Sequence, residues 1–142
     1  MSRVFADACY WIALINREDE LRAAALAAQK NAIGSVVYTT DEVLGEVLNY
    51  FSKRGSDWRG LAASLVEGIR QDSRVVVDEQ SRATFDTGHG LYKDRKDKGY
   101  SLVDCVSFLA MKRHGITNAL TNDRHFEQEQ MVALLRESNA QS

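Results

Sequence analysis

The chain of 142 residues has no proline and only two cysteines, Cys9 and Cys105. Two thiols are too few for a disulfide scaffold or a structural zinc site. Because each lies in an apolar run, we expect both to be buried, reduced thiols, as is typical of a cytoplasmic protein. His89, His114 and His125 stand singly, without a His-x-x-x-His pair, so the sequence does not indicate a zinc enzyme.

Neither sign of charge dominates, since 18 Lys and Arg residues stand against 20 Asp and Glu residues for a net charge of −2. The overall charge therefore does not indicate nucleic-acid binding, although a local basic stripe remains compatible with it. No apolar window has the length of a membrane span or of a signal peptide. With 44% hydrophobic and 27% charged residues, we expect one cytoplasmic domain over residues 1–142 and no membrane partner.

Short apolar runs alternate with helical patterns along the chain. Strands are predicted at residues 4–6, 36–38, 74–77 and 116–121, with a fifth short run at 131–135. Helices are predicted at residues 8–15, 19–31, 41–54, 57–70, 80–92 and 102–113, with Thr40 and Ser101 as N-caps of the third and sixth. This alternation predicts an α/β fold, a three-layer α/β/α sandwich around a mostly parallel sheet of four to five strands. We expect roughly the last seven residues, which are polar, to be frayed.

One acidic residue lies where a charge is costly. Between residues 102 and 111 the only polar side chains are Asp104 and Ser107, which predicts a helix buried on nearly all sides. An ionised carboxylate there costs several kcal/mol unless a charge partner or a metal ion offsets the desolvation. The alternative is an acid in the first helical turn, held by the helix dipole and the capping amides near Ser101.

Two further acids follow predicted strands, and a third borders an apolar helix face. Asp7 and Asp123 stand at strand ends, where ligands of open α/β sheets bind, although both types of position also suit helix caps and turns. Glu46 borders the apolar face of its helix, whereas Glu42 lies further toward the polar side. If these three acids meet Asp104 in one pocket, mutual repulsion requires a hard divalent cation such as Mg²⁺ or Mn²⁺. Such a site is typical of phosphodiester hydrolysis, in which the metal activates water.

Four segments occur in the order found in one known family: Val4–Leu14, Thr39–Glu46, Tyr100–Phe108 and Ala119–Phe126. They contain a strand followed by Asp and an aromatic helix, a segment ending in Glu, a Ser-x-x-Asp helix start and a strand-end Thr-Asn-Asp block. In these features the sequence resembles the PIN-domain ribonucleases, and more narrowly the VapC-type toxins of bacterial toxin–antitoxin pairs. The resemblance extends over residues 3–136.

The resemblance implies a metal-dependent endoribonuclease that leaves 5′-phosphate and 3′-hydroxyl ends. It assigns Asp7, Glu46, Asp104 and Asp123 as ligands of Mg²⁺ or Mn²⁺. The implied partners are an RNA substrate, a small antitoxin that plugs the site and a second copy of the chain. By the same resemblance, Thr121 and Ser101 support the pocket through hydrogen bonds. Many members of the family carry Ser or Thr after the first Asp, whereas this chain has Ala8.

Charged residues other than these four acids are interpreted as surface charges or as contacts to phosphate. Asp97 lies where some members of the family carry another acid, but a solvated charge within the run Lys93–Lys98 is the favoured interpretation. The basic residues of that run, with Arg54 and Arg59, are candidates for phosphate contacts. His125, beside Phe126, is expected to serve packing.

Rival functions find less support in the sequence. Phosphate-binding glycine loops are absent, which argues against nucleotide binding. An aspartyl phosphatase would need Asp-x-Asp at the first strand, where this chain has Cys9, and a receiver domain would need an acid pair before Asp7. Two alternatives stay open: a PIN nuclease of RNA processing that is not a toxin, and a metal-dependent nucleic-acid-binding module without turnover.

Overall fold

The computed structural model describes residues 2–136, so most of the polar end expected to fray lies outside the described residues. The strands are Arg3–Ala6 (β1), Val36–Thr40 (β2), Val75–Asp78 (β3), Asn118–Leu120 (β4) and Val132–Ala133 (β5). The helices are Ala8–Ile15 (α1), Arg22–Asn31 (α2), Asp41–Phe51 (α3), Ser56–Gln71 (α4), Arg82–Asp94 (α5), Leu102–Arg113 (α6) and Arg124–Gln128 (α7). Within this part of the chain, no helix combines the length and the apolarity needed to cross a bilayer.

The five strands form one sheet in the order β3-β2-β1-β4-β5, and every neighbouring pair is parallel. Parallel neighbours require crossover connections, which are right-handed in nearly all proteins. The chain moves from β1 to β3 in one direction along the sheet and from β3 to β5 in the other. Right-handed crossovers therefore place α1–α4 on one face and α5–α7 on the opposite face. The predicted α/β fold with a parallel sheet is confirmed.

The order of the strands reverses between β1 and β4. In open α/β sheets, the loops that leave two such strands separate to opposite faces and open a crevice at the carboxyl ends. Beneath this crevice the core is rigid, because the buried rings of Phe5, Phe108 and Phe126 pack on one another with centroids 4.9–6.4 Å apart. The topology thus predicts a ligand site where β1 and β4 end.

Several helix ends differ slightly from the sequence-based expectation, for local reasons. α2 begins at Arg22 rather than near residue 19, because the side chain of Asp19 accepts a hydrogen bond from the amide of Leu21 at 2.8 Å and forms a turn. Ser81 caps α5, which starts two residues later than predicted. The predicted N-caps Thr40 and Ser101 are confirmed, since their hydroxyls accept from the amides of the third helical residues.

Candidate metal centre

A cleft of about 460 Å³ opens at the carboxyl ends of β1 and β4. Its walls come from the β1–α1 junction, from α3, from the first turn of α6 and from the loop after β4. The residues that line it are Asp7, Ala8, Cys9, Ile12, Leu21, Glu46, Tyr50, Asp104, Asn122 and Asp123. All four acids predicted from the sequence therefore line one cleft, although 116 positions separate the first from the last.

Asp7 is held by both of its carboxylate oxygens. It is the N-cap of α1, where Oδ1 accepts a hydrogen bond from the amide of Ala8 at 2.9 Å. Oδ2 accepts a hydrogen bond from the hydroxyl of Thr121 at 2.8 Å. That hydroxyl in turn accepts from the amide of Asp123 at 3.1 Å, so Thr121 connects the acids that follow β1 and β4. This is the supporting contact that the family resemblance implied for Thr121.

Asp104 is held through one oxygen. Its Oδ2 accepts a hydrogen bond from the amide of Ser101 at 3.0 Å, while the hydroxyl of Ser101 accepts from the amide of Asp104 at 3.0 Å. The ring of His125 lies 3.3 Å from the same oxygen. Among residues 2–136, Oδ1 of Asp104 receives no hydrogen bond. The local capping role considered for this acid is therefore present, and it leaves one oxygen available to a ligand.

His125 is the residue whose role the sequence interpretation missed. Asp123 is the N-cap of α7 and accepts from the amide of His125 at 2.9 Å, which brings the imidazole back over the cap. Asp104, Asp123 and His125 each place a potential ligand atom within 4.8 Å of the other two. The ring of His125 also packs against Tyr100, with centroids 5.3 Å apart, so packing accounts for only part of its surroundings. The available signal was the Asp-x-His spacing at a helix start.

Burial and mutual repulsion disfavour the ionised forms of Asp7, Glu46 and Asp104. Burial, reinforced by Asp104 and Asp123, raises the pKa of Asp7 to about 6 against the opposing hydrogen bonds from Thr121 and Ala8. The pKa of Glu46 rises to about 7, from burial first and then from the other three carboxylates. Burial also raises the pKa of Asp104. The cleft therefore concentrates more negative charge than its own surroundings neutralise.

The oxygen donors of this cleft fit a hard divalent cation. In the described part of the chain no Lys or Arg forms an ion pair with any of the four acids, and His125 is the one basic group in contact with them. Carboxylate oxygens are the ligands that Mg²⁺ and Mn²⁺ prefer. A cation that offsets the repulsion would also lower the raised pKa values, so its binding and the ionisation of the acids support each other.

The two cysteines differ in their surroundings. Cys105 is fully buried in α6, as expected. Cys9, expected to be buried as well, is half-buried because it lines the cleft, with its sulfur 3.7 Å from the hydroxyl of Thr121. Burial, followed by the charge of Asp7, raises the pKa of the Cys9 thiol to about 12. Cys9 therefore remains a neutral thiol and is a poor nucleophile.

A buried carboxylate stabilises the elements that carry His125. The side chain of Glu129, 6% exposed, accepts from both Arg95 and Lys112 and from the hydroxyl of Tyr100 at 3.1–3.3 Å. Arg95, one of the candidates for phosphate contacts, is thus engaged within the protein. The side chain of Asp97, by contrast, is 79% exposed, and its one ion-pair partner in the described part of the chain is Lys98, as expected for a solvated charge.

Sequence comparison identifies the family of this chain. A family model described as PIN domain matches residues 4–129. The chain belongs to the PIN domain family. The match spans β1 to α7 and so includes all four acids of the cleft, together with Thr121 and His125.

Individual PIN proteins are also similar to this chain. The 23S rRNA-specific endonuclease VapC20 of Mycobacterium tuberculosis, from strains CDC 1551 / Oshkosh and H37Rv, is 31% identical over 125 residues, which cover 87% of this chain and 91% of VapC20. The crystal structure of M. tuberculosis VapC20, described as a sarcin–ricin loop cleaving toxin, matches with a TM-score of 0.77 and 26% identity. That match covers 91% of this chain and 96% of VapC20.

Proposed function

We propose that this PIN protein is a metal-dependent endoribonuclease that hydrolyses RNA phosphodiesters and acts as the toxin of a toxin–antitoxin pair. The observation that carries the proposal is the convergence of four acids from four separate elements on one cleft, where no Lys or Arg of residues 2–136 forms an ion pair with them. The likeness to VapC20, an endonuclease by its name, supports the same class of reaction. The resemblance of the whole chain supports a single nuclease domain over residues 1–142.

Asp7, Glu46, Asp104 and Asp123 would hold Mg²⁺ or Mn²⁺ in this cleft. The chemistry that such a cation supplies is the neutralisation of phosphate charge and the activation of water for hydrolysis. His125 lies close enough to Asp104 and Asp123 to contribute to the same group of ligand atoms. The mixture of carboxylates with a single imidazole favours a hard cation over zinc.

Residues of the chain itself orient two of the acids, Asp7 and Asp104. Thr121 and the amide of Ala8 orient the two oxygens of Asp7. The amide of Ser101 and the ring of His125 contact one oxygen of Asp104. The other oxygen receives no hydrogen bond from the part of the chain that the structure describes. Glu46 receives no hydrogen bond from the described residues, and with a pKa of about 7 its carboxylate is the group that holds a proton near neutral pH in the metal-free cleft.

The proposed partners are RNA, a small antitoxin protein that blocks the cleft and a second copy of the chain. VapC20 is named for its action on 23S rRNA, which supports ribosomal RNA as the first substrate to test. We place the protein in the cytoplasm, which the two unpaired thiols support.

Cleavage of purified ribosomal RNA in Mg²⁺, Mn²⁺ or EDTA tests the proposal. We expect discrete fragments with either metal and none with EDTA. Asp7→Asn and Asp104→Asn should each abolish cleavage, because each removes one carboxylate from the cleft. The matched control is Asp97→Asn, which removes an exposed acid outside the cleft and should leave cleavage unchanged.

Two further measurements, growth on expression and calorimetry of metal binding, separate the alternatives. Cleavage of ribosomal RNA without growth arrest on expression would favour a processing nuclease over a toxin. Metal binding by calorimetry without cleavage of any RNA would favour a binding module. If the wild-type protein neither binds a divalent cation nor cleaves RNA, the proposal is wrong.

A further inference from the structure

An exposed aromatic ring stands at the rim of the cleft, one helical turn from Glu46. Tyr50 lies four residues further along α3, a rise of about 6 Å, and lines the same cleft. Its side chain is 40% exposed. Single exposed aromatic residues are common on protein surfaces, but Tyr50 lines a cleft that contains four acids, so a ligand that enters the cleft would meet its ring.

Arg54 holds the ring in place. Its guanidinium carbon lies 4.1 Å from the centroid of the Tyr50 ring, and its Nε donates to the carbonyl of Tyr50 at 3.2 Å. Phe51 packs against the ring at 81°, with centroids 4.9 Å apart. Arg54 therefore fixes the ring from one side and Phe51 from another, while Tyr50 remains 40% exposed.

The turn that follows α3 is basic and anchored. Lys53, Arg54 and Arg59 are exposed there, with Asp57 as the one acid between residues 52 and 60. Trp58 stacks on the buried Phe51 at 5.0 Å and 8°, which fixes the turn against the core. A positive, ordered rim beside a negative cleft suits a polyanion that must approach carboxylates.

We propose that Tyr50 and Arg54 form a binding site for an unpaired segment of RNA next to the cleft. A base stacks on the exposed surface of the Tyr50 ring, and Arg54 contacts a phosphate of the same strand. Stacking requires a base that is not in a duplex, so the segment bound at this site is unpaired. This inference rests on the proposed nuclease function, whose metal site supplies the reaction.

Binding of two RNAs tests the inference. The probes are a fluorescent 12-nucleotide RNA of mixed sequence and the same RNA annealed to its complement, measured by anisotropy in Mg²⁺. All proteins carry Asp104→Asn, which blocks cleavage and removes one negative charge. We expect tighter binding of the single strand. Tyr50→Leu, which keeps apolar bulk but loses the ring, should weaken it about fivefold or more.

Matched variants separate stacking from folding and from general charge. Tyr50→Phe keeps the ring and should bind like the parent protein. Tyr92→Ala removes another exposed tyrosine, 52% exposed on α5 outside the cleft, and should have no effect. Arg54→Gln should reduce the slope of log affinity against log salt by about 0.7, the value for one phosphate contact to a single strand. Arg70→Gln, at the far end of α4, should leave that slope unchanged.

Kinetics in the wild-type background provide the second measurement. Tyr50→Leu should raise KM for a cleaved RNA about fivefold or more and leave kcat nearly unchanged, because the ring binds substrate away from the reacting phosphate. Equal affinity and equal KM for Tyr50→Leu and the parent would overturn the inference while the nuclease function stands. No binding of either RNA and no cleavage by the wild type would overturn both.

Discussion

The hydroxyl of Thr121 donates to Oδ2 of Asp7 across 2.8 Å, although the two residues are 114 positions apart. The same oxygen of Thr121 accepts from the amide of Asp123. A single buried hydroxyl thus holds the acids of two adjacent strands in a fixed relation. Such supporting contacts commonly tune the affinity of a metal site as strongly as some of the ligands do.

Replacing Thr121 with Val keeps the volume of the side chain and removes this hydroxyl. We expect the affinity for Mn²⁺, measured by calorimetry, to fall about 10-fold or more. The free energy of unfolding should fall by about 1–2 kcal/mol, since a buried hydrogen bond is lost. Thr39→Val is the control, because its buried hydroxyl donates to the carbonyl of Ala6 and does not line the cleft. It should lower stability alone, and an equal loss of Mn²⁺ affinity in both variants would contradict the role of Thr121.

The contribution of Asp7 and Glu46 to the stability of the metal-free protein should fall as pH rises. Asp7 and Glu46 have folded-state pKa values of about 6 and about 7, above their ordinary values of 3.8 and 4.5. Folding is therefore favoured by the protonated acids at pH 4, and this contribution is lost as pH rises through 6 to 7. For the buried Asp7 a shift of about two pKa units corresponds to roughly 3 kcal/mol.

Thermal unfolding in EDTA between pH 4 and pH 8 measures this effect. The decrease in Tm should be smaller in Asp7→Asn, which cannot ionise at that position. It should also be smaller in MnCl₂, because a bound cation stabilises the ionised carboxylates. A Tm in EDTA whose pH dependence is the same in the wild type and in Asp7→Asn would show that the folded state does not disfavour the ionised carboxylate.

Removing the imidazole of His125 should weaken the site while the fold persists. His125 lies 3.3 Å from carboxylate oxygens of both Asp104 and Asp123, whose repulsion it moderates. His125→Ala should lower Mn²⁺ affinity and the rate of RNA cleavage about 10- to 100-fold. His89→Ala, an exposed position on α5, is the control and should retain both. Unchanged Mn²⁺ affinity in His125→Ala would assign His125 to packing after all.

The two glycines of α5 offer a test of how closely α5 and α6 pack. A methyl group on Gly88 would lie 2.8 Å from Cγ2 of Val106, whereas one on Gly90 would meet no heavy atom within 4 Å. Alanine at position 90 should raise the free energy of unfolding by roughly 0.5–1 kcal/mol, its usual advantage in a helix. Alanine at position 88 should lower it by about 1 kcal/mol or more, because overpacking outweighs that advantage. Denaturant unfolding of both variants measures the difference, which should vanish if the helices are loosely packed.

Local patterns in the sequence were sufficient for the elements and for the acids. Local sequence patterns predicted the five strands and six of the seven helices in residues 2–136, and Thr40 and Ser101 were recognisable as N-caps. The short helix α7 was not predicted. Asp104 stood out because it is one of only two polar side chains between residues 102 and 111, and Asp7 and Asp123 because they follow apolar strands. Such signals are readable because they depend on residues a few positions apart.

Relations between distant residues were not readable in this way. His125 was expected to serve packing, and only the fold shows that the N-cap of α7 directs its ring toward Asp104. Cys9 was expected to be buried, but it lines the cleft and is only half-buried. Tyr50 was not singled out from the sequence, and it lies at the rim of the cleft. Each of these positions depends on which elements pack beside it.

Periodicity, capping and charge are local properties, so the amino-acid pattern was enough to predict the fold class and to single out the four acids that line one cleft. The tertiary structure alone decided that the strand order reverses between β1 and β4, and so where the acids meet. It also raised the pKa values of Asp7 and Glu46, since desolvation and repulsion depend on burial and on distances between residues far apart in the chain.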